Sequence, residues 1–314
     1  TYINRVKELG QPAAAITDHG NLYGALEFHK VAIKNDINPI IGYEAYVTTE
    51  SRFERPDRDK NKRYHLTLLA ENNEGYWNLV KLASKAYTEG YYYKPRLDYE
   101  LMREHSKGII ALSGCLGGEI AQHLAPDGST EEGNSQGERS YEKALSKASL
   151  YQEIFGKENF FIELHNHGIK QQEIILPDLL NISKEIGAPL VATNDSHYVH
   201  TEDSSAHDAL LCVQTNATID DNTRFKFEGQ GYYVKSSDEM RNLFPQEQYP
   251  DACDNTLAIS ERVKYKFKTG QYFLPAFPVQ DPELTAEEYL KNLVYEGAKN
   301  VYKELSEEIT ERIE

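Results

Sequence analysis

The chain has 314 residues, with 34 Lys plus Arg against 50 Asp plus Glu, a formal charge of −16. That balance repels phosphate on average, so it excludes a protein that grips duplex DNA through its own overall charge; a nucleic-acid role would need local basic patches, metal ions or partner domains. Three scattered cysteines exclude a disulfide framework, and neither a membrane-length apolar run nor a secretory leader is present, so a soluble cytoplasmic protein with no membrane partner is expected. The length allows one barrel-type domain or two ordinary ones, and 22 Tyr within a hydrophobic fraction of 39% argue for a folded core.

Taken in chain order, residues 1–9 read as a helix, 12–17 as a buried strand, and 22–34 as a helix with Leu22, Leu26, His29 and Ile33 at helical spacing. Strands are expected at 39–47 and 64–70 on either side of a charged loop, 50–63, and a helix follows at 74–87. The remaining pattern is strand 108–112, helix 138–155, strand 160–164, helix 171–186 and strand 189–193. Strands alternating with helices imply parallel β-α units, in a barrel or a doubly wound sheet. Residues 126–139 are low in complexity and read as a surface loop. From about residue 271 the chain becomes Pro-interrupted and extended, and a charged helix begins near Thr285 and runs toward Glu314. The two ends read as cuts in a longer chain, with a further domain expected downstream.

Chemistry collects at the strand ends. Asp18-His19-Gly20-Asn21 follows the first strand, Glu44 interrupts an apolar run, His65 begins the third, and Cys115, then His165-Asn166-His167, then Asn194-Asp195-Ser196-His197 follow later strands. In a β/α barrel such ends gather on one face, so residues far apart in sequence share a pocket. Asp195 and His197, and likewise His165 and His167, are two apart and project to one side of an extended chain. Carboxylate plus imidazole suits zinc, manganese or iron, and Cys115 tilts the choice toward zinc. A lone strand-end His or Asp is usually a cap, but recurrence on six strands outweighs that reading. His29, His105, His123, His200 and His207 fall outside the pattern. The run Tyr91-Tyr92-Tyr93-Lys94-Pro95-Arg96 reads as a packing patch in preference to a base-stacking one.

Thr17-Asp18-His19-Gly20-Asn21, Pro39 to Glu44, Tyr64 to Ala70, Leu112-Ser113-Gly114-Cys115 and Ala192 to Tyr198 resemble the polymerase-and-histidinol-phosphatase (PHP) domain that begins bacterial DNA polymerase III alpha subunits. Ser84-Lys85-Ala86-Tyr87 with Tyr91 to Arg96, and Asn255 to Glu261 followed by Leu274 to Pro278, resemble the polymerase form and not the stand-alone phosphatases. The resemblance implies an α/β fold, a distorted TIM-like (β/α)7 barrel lacking its first strand in this chain, over residues 1–270. Residues 271–314 would be an extended linker and first helix toward the palm.

By motif His19, Glu44, His65, Cys115, Asp195 and His197 fall on metal-ligand positions, with Asp18, Asn21, His165, His167 and Asn194 as groups that would orient those ligands or as further candidates. Up to three divalent ions, zinc or manganese, are implied. No side chain is assigned as the catalytic group, because a metal-bound hydroxide is the expected nucleophile. The family's His-x-His pair and a nearby acid would precede Thr1, so the chain is expected to hold metal weakly and to lack meaningful exonuclease activity. His165 stands where the family pattern has Gln. The implied parent is a DNA-directed DNA polymerase, a nucleotidyltransferase of DNA replication; this piece would not extend a primer, and its own chemistry, if any, would be phosphodiester hydrolysis, which in an intact family site is associated with metal-dependent 3′-to-5′ exonuclease proofreading. The implied partners are the polymerase palm and thumb, a proofreading exonuclease subunit, and primer-template DNA delivered by the other domains. The alternatives are a non-catalytic structural and interaction module and, more weakly, a stand-alone phosphatase of the histidinol-phosphatase type.

Overall fold

The computed structural model describes residues 2–57, 61–125 and 138–314, so residues 126–137 of the low-complexity stretch lie outside the described residues. The apolar runs form one seven-stranded sheet curled into a half-barrel, a distorted TIM-like α/β fold. In chain order its strands are β1 (Ala13–Ile16), β2 (Asn38–Val47), β3 (Tyr64–Ala70), β4 (Arg96–Leu97), β5 (Ile109–Leu112), β6 (Phe160–Leu164) and β7 (Leu190–Ala192). Their spatial order is β1-β2-β3-β5-β6-β7, with β4 beside β2.

Pairing is parallel except at β3, which runs antiparallel to both β2 and β5. The expected parallel β-α units hold for the other strands, and β3 departs from them. A parallel return needs a crossover, usually a helix; the described part of residues 50–63 contains none, and a loop suffices to bring β3 back alongside β2.

Alternation along each strand separates two faces. Tyr43, Ala45 and Val47 of β2, Leu66, Leu68 and Ala70 of β3, Ile109 and Ala111 of β5, Phe160, Ile162 and Leu164 of β6, and Leu190 and Ala192 of β7 join the large outer core. The outer helices are α3 (Asn73–Thr88), α4 (Tyr99–Glu104), α5 (Glu119–Leu124), α6 (Tyr141–Phe155) and α7 (Lys170–Ile186). Ile40, Leu69, Ile110, Leu112, Phe161 and Val191 face inward and cluster with Ile259 and Val263. Ile259 belongs to α10 (Asp254–Arg262), a helix the periodicity reading did not pick out, and Val263 follows it. Asn255 donates to the Leu190 carbonyl and Asn38 to the Ser260 carbonyl, so α10 ties β7 to the other flank of the sheet and floors the concave side.

The remaining helices of this part are α1 (Tyr2–Glu8), α2 (Ala25–Lys34), α8 (Ser204–Thr215) and α9 (Ser237–Leu243). In α2 the buried face is Ala25, Phe28, His29 and Ala32, whereas Leu26 and Ile33 are exposed. The helix therefore presents a stripe rotated from the expected one, because small Ala residues at i and i+7 let it approach the sheet closely with Phe28 and His29 between them.

Two compact units divide the chain, the first ending at Phe267 and the second spanning Lys268–Glu314. The second contains α11 (Ala286–Val301), started by a Thr285/Glu288 capping box, and α12 (Glu307–Ile313), capped by Ser306. One charged helix is thus replaced by two, since Ser306 supplies a fresh N-cap after the break at residues 302–305.

Candidate metal centre

Local backbone chemistry carries each group to one rim. After β1 the chain stays beside β2: Gly20 donates to the Glu44 carbonyl (2.8 Å) and Glu44 to the Asp18 carbonyl (3.1 Å), which sets His19 against Glu44. Gly20 has φ +66°, and a Cβ there would meet the Pro95 and Tyr46 side chains at 2.9 and 3.1 Å. His65 lies near the start of β3, and the reversal of that strand puts its start level with the C-terminal ends of its neighbours. The loop after β5 folds over it, with the backbone N–H of His65 donating to the Gly117 carbonyl at 2.9 Å.

Beyond β7, Asp195 adopts φ +44°, so Asp195 and His197 meet through a turn and not along extended chain. That turn is clamped by Asn194, whose amide donates to the Gly231 and Tyr233 carbonyls (2.9 and 2.7 Å), while Lys235 donates to its oxygen at 2.9 Å.

All six expected groups, His19, Glu44, His65, Cys115, Asp195 and His197, line a single cavity of about 110 Å³, together with His165 and His167. One donor atom from each of His19, Glu44 and His65 falls within a 4.8 Å set. His65 Nδ1 lies 2.8 Å from Glu44 Oε1 and 3.5 Å from Cys115 Sγ; His19 Nδ1 lies 3.4 Å from Glu44 Oε2, and His197 Nε2 lies 3.3 Å from Asp195 Oδ1. Burial resists the charge on Glu44, but His65 and His19 overcome it and hold the carboxyl below its ordinary range. Burial likewise opposes ionisation of Asp195, and the hydrogen bond and charge of His197 reverse that. His65 is discouraged from protonation by burial and then pushed well above its usual value by Glu44 and Cys115. The Cys115 thiol is raised by burial, with His65 acting against the rise.

Below this rim lies a polar layer. Glu163, inward on β6, accepts from Thr193 Oγ1 (2.6 Å), from Gly114 N (2.9 Å) and from Thr67 Oγ1 (3.3 Å). His165 Nε2 sits 2.6 Å from Thr193 Oγ1 and 3.3 Å from Glu163 Oε1. His167 is satisfied on both ring nitrogens: Nε2 donates to the Asn194 carbonyl and Nδ1 accepts from Gln172, each at 2.8 Å.

The other candidates sit apart from the lining. Asp18 accepts from Gly24 N at 2.8 Å before α2, Asn21 accepts from Leu22 N at 2.7 Å, and Asn194 holds the Asp195 turn. Sequence reasoning missed Glu163, although an acid inside an apolar strand is the signal that drew attention to Glu44. It also missed Phe225, Lys226, Phe227, Glu228 and Tyr232, which line the cavity from an irregular segment without periodicity.

Residues 1–167 match the PHP domain family. The chain belongs to that family. It is 41% identical over 311 residues to the DNA polymerase III subunit alpha of Treponema pallidum (strain Nichols), covering 99% of this chain and 25% of that protein. The corresponding protein of Thermus aquaticus is 43% identical over 302 residues (93% and 23%), and that of Mycobacterium tuberculosis (strain CDC 1551 / Oshkosh) is 42% identical over 292 residues (88% and 24%). The PHP chain thus spans about a quarter of the length of these relatives.

The donor set of this PHP cleft fits a divalent cation. Imidazole, carboxylate and thiol donors converge, and His65 Nε2 is buried without a hydrogen-bond partner. A Cβ on Gly117 would stand 3.0 Å from His65 Nδ1, so glycine keeps the loop close without crowding the ring. No helix among the described residues is long and apolar enough to cross a membrane.

Proposed function

We propose that this chain is the PHP domain of a bacterial replicative DNA polymerase III alpha subunit, and that its cleft binds divalent cations, zinc or manganese, to hydrolyse phosphodiester bonds at DNA 3′ ends. The observation that carries the reading is the convergence of six donors from five strand-end regions in one cavity. The family, and the relatives that are DNA polymerase III alpha subunits, support the polymerase assignment. His19, Glu44, His65, Cys115, Asp195 and His197 would hold the cations. When bound, such ions supply Lewis-acid activation of water and neutralise charge on the phosphoryl oxygens.

The chain's residues do the rest. Glu44 and Asp195, held ionised by their imidazole neighbours, concentrate negative charge where cations are needed. Tyr232 and Phe227 wall the cavity beside His197, with ring centroids at 5.8 and 4.7 Å, limiting water on that side. Lys226, exposed at the same wall, places a positive charge where a DNA phosphate would enter. Palm, thumb and primer-template DNA are the partners of this reading, with a proofreading exonuclease subunit as a further one.

The test measures bound metal and nucleotide release from a 3′-mismatched primer with zinc and manganese supplied. Measured in the whole polymerase subunit, Asp195→Asn and Glu44→Gln should each lower release at least about 100-fold and lower metal content in parallel. Metal retained by the parent chain without cleavage, both by itself and in the whole subunit, would replace the hydrolytic reading with a structural one.

A further inference from the structure

Among the described residues, His165 is an inward-facing group whose partners are fixed on one side and missing on the other. It is 7% exposed and lines the same cavity as Glu44 and Asp195. The Thr193 hydroxyl has one proton, and it goes to Glu163 Oε1 at 2.6 Å, because a carboxylate only accepts. Thr193 Oγ1 can therefore only accept from His165, so the contact at 2.6 Å requires His165 Nε2 to carry its proton. That assigns the tautomer and leaves Nδ1 with a lone pair when the ring is neutral. His165 Nδ1 is nevertheless buried with no hydrogen-bond partner, the same condition as His65 Nε2 in the proposed cation site.

An imidazole whose one nitrogen donates toward a carboxylate while the other lone pair stays free is the arrangement that orients histidines on metals, and the outer carboxylate strengthens the donor. The surroundings favour positive charge on this ring: burial opposes it, and the hydrogen bond and charge of Glu163, followed by Asp195 and Glu44, outweigh that opposition. A buried unpaired acceptor is destabilising unless something meets it. The ring is not a spacer either, since its Nε2 is fixed by a dedicated pair, Glu163 of β6 and Thr193 just beyond β7.

We propose that His165 Nδ1 is an additional divalent-cation donor of this cleft, oriented by the Thr193–Glu163 pair; the inference rests on the cation-binding reading given above. Its consequence is a site with one more nitrogen donor than the six motif positions supply, which favours zinc over manganese because imidazole suits the former and oxygen donors the latter.

The experiment adds Zn²⁺ to the metal-free chain labelled with 15N-histidine and follows the imidazole nitrogens by NMR, alongside chelator competition for Zn²⁺ and Mn²⁺ and the visible spectrum of the Co²⁺ form. Zn²⁺ should shift the His165 Nδ1 resonance while Nε2 stays protonated. His165→Gln should weaken Zn²⁺ about 10- to 100-fold, leave Mn²⁺ less affected and change the Co²⁺ spectrum. Thr193→Val, which keeps the ring but removes its hydrogen-bond acceptor, should give a smaller loss of the same sign. An unshifted His165 Nδ1 in a chain whose His65 and His197 do shift would overturn the proposal and leave the cation site standing. If no histidine responds to Zn²⁺, both fall. The NMR measurement on the parent chain decides the matter even if a variant fails to fold.

Discussion

At the scale of single residues, two histidines two positions apart have opposite fates because their hydrogen bonds differ. His165 keeps one nitrogen unpartnered, whereas His167 spends both, stacked on Tyr232 at 4.0 Å. Burial, and then the neighbouring His165, push the His167 pKa down from 6.5 to about 4. The folded value lies below the unfolded one, so this contribution is complete above about pH 6.5 and drains away as pH falls through 4. The shift corresponds to about 3 kcal/mol of acid sensitivity. Urea unfolding of the parent chain should show stability falling between pH 6.5 and 4, and His167→Asn should flatten that segment while lowering stability at pH 7 by about 1–3 kcal/mol. An unchanged slope in the variant would assign the acid loss to other groups.

At the scale of elements, the site depends on how the turn after β5 meets the start of β3. Gly114 has φ +87°, and a Cβ there would lie 2.7 Å from the His65 carbonyl oxygen. Gly114→Ala therefore combines left-handed strain with a collision against backbone, and should cost about 3 kcal/mol by denaturant midpoint. Because the displaced turn carries Cys115, whose Sγ is 3.3 Å from Gly117 N, zinc affinity should fall in the same variant. Loss of stability with unaltered zinc affinity would show that the turn can move without disturbing the donors. The antiparallel β3 matters here: run parallel, it would carry His65 to the opposite end of the sheet.

At the scale of the whole molecule, the first unit has its own core clusters and the second begins with a stretch lacking regular hydrogen bonding. In that stretch Tyr272, Phe273 and Leu274 are each more than four-fifths exposed. Proteases prefer exposed backbone of this kind. Limited chymotrypsin digestion should cut first within residues 268–284 and leave a resistant fragment ending near Phe267, read by intact mass. Initial cleavage within β2 or α3 would contradict the division into units.

Strand positions were legible because apolar runs of strand length are short and bounded by turn residues, and the rim chemistry was legible because a barrel gathers strand ends on one face. Thus His19, Glu44, His65, Cys115, Asp195 and His197 could be placed at strand ends from the amino-acid order and singled out by their resemblance to the PHP motifs, and the structure lines one cavity with them. The direction of β3, the rotated stripe of α2 and the inward packing of α10 were not legible, since each depends on which neighbour covers a face and not on local periodicity. The partnering of His165, His167 and Glu163 was equally hidden. Which nitrogen finds a partner is decided by side chains brought from β3, β6, the β7 end and α7, and only tertiary structure puts those within hydrogen-bond reach. Residue types and their spacing determined which chemistry this chain carries; packing decided which atoms remain free to perform it.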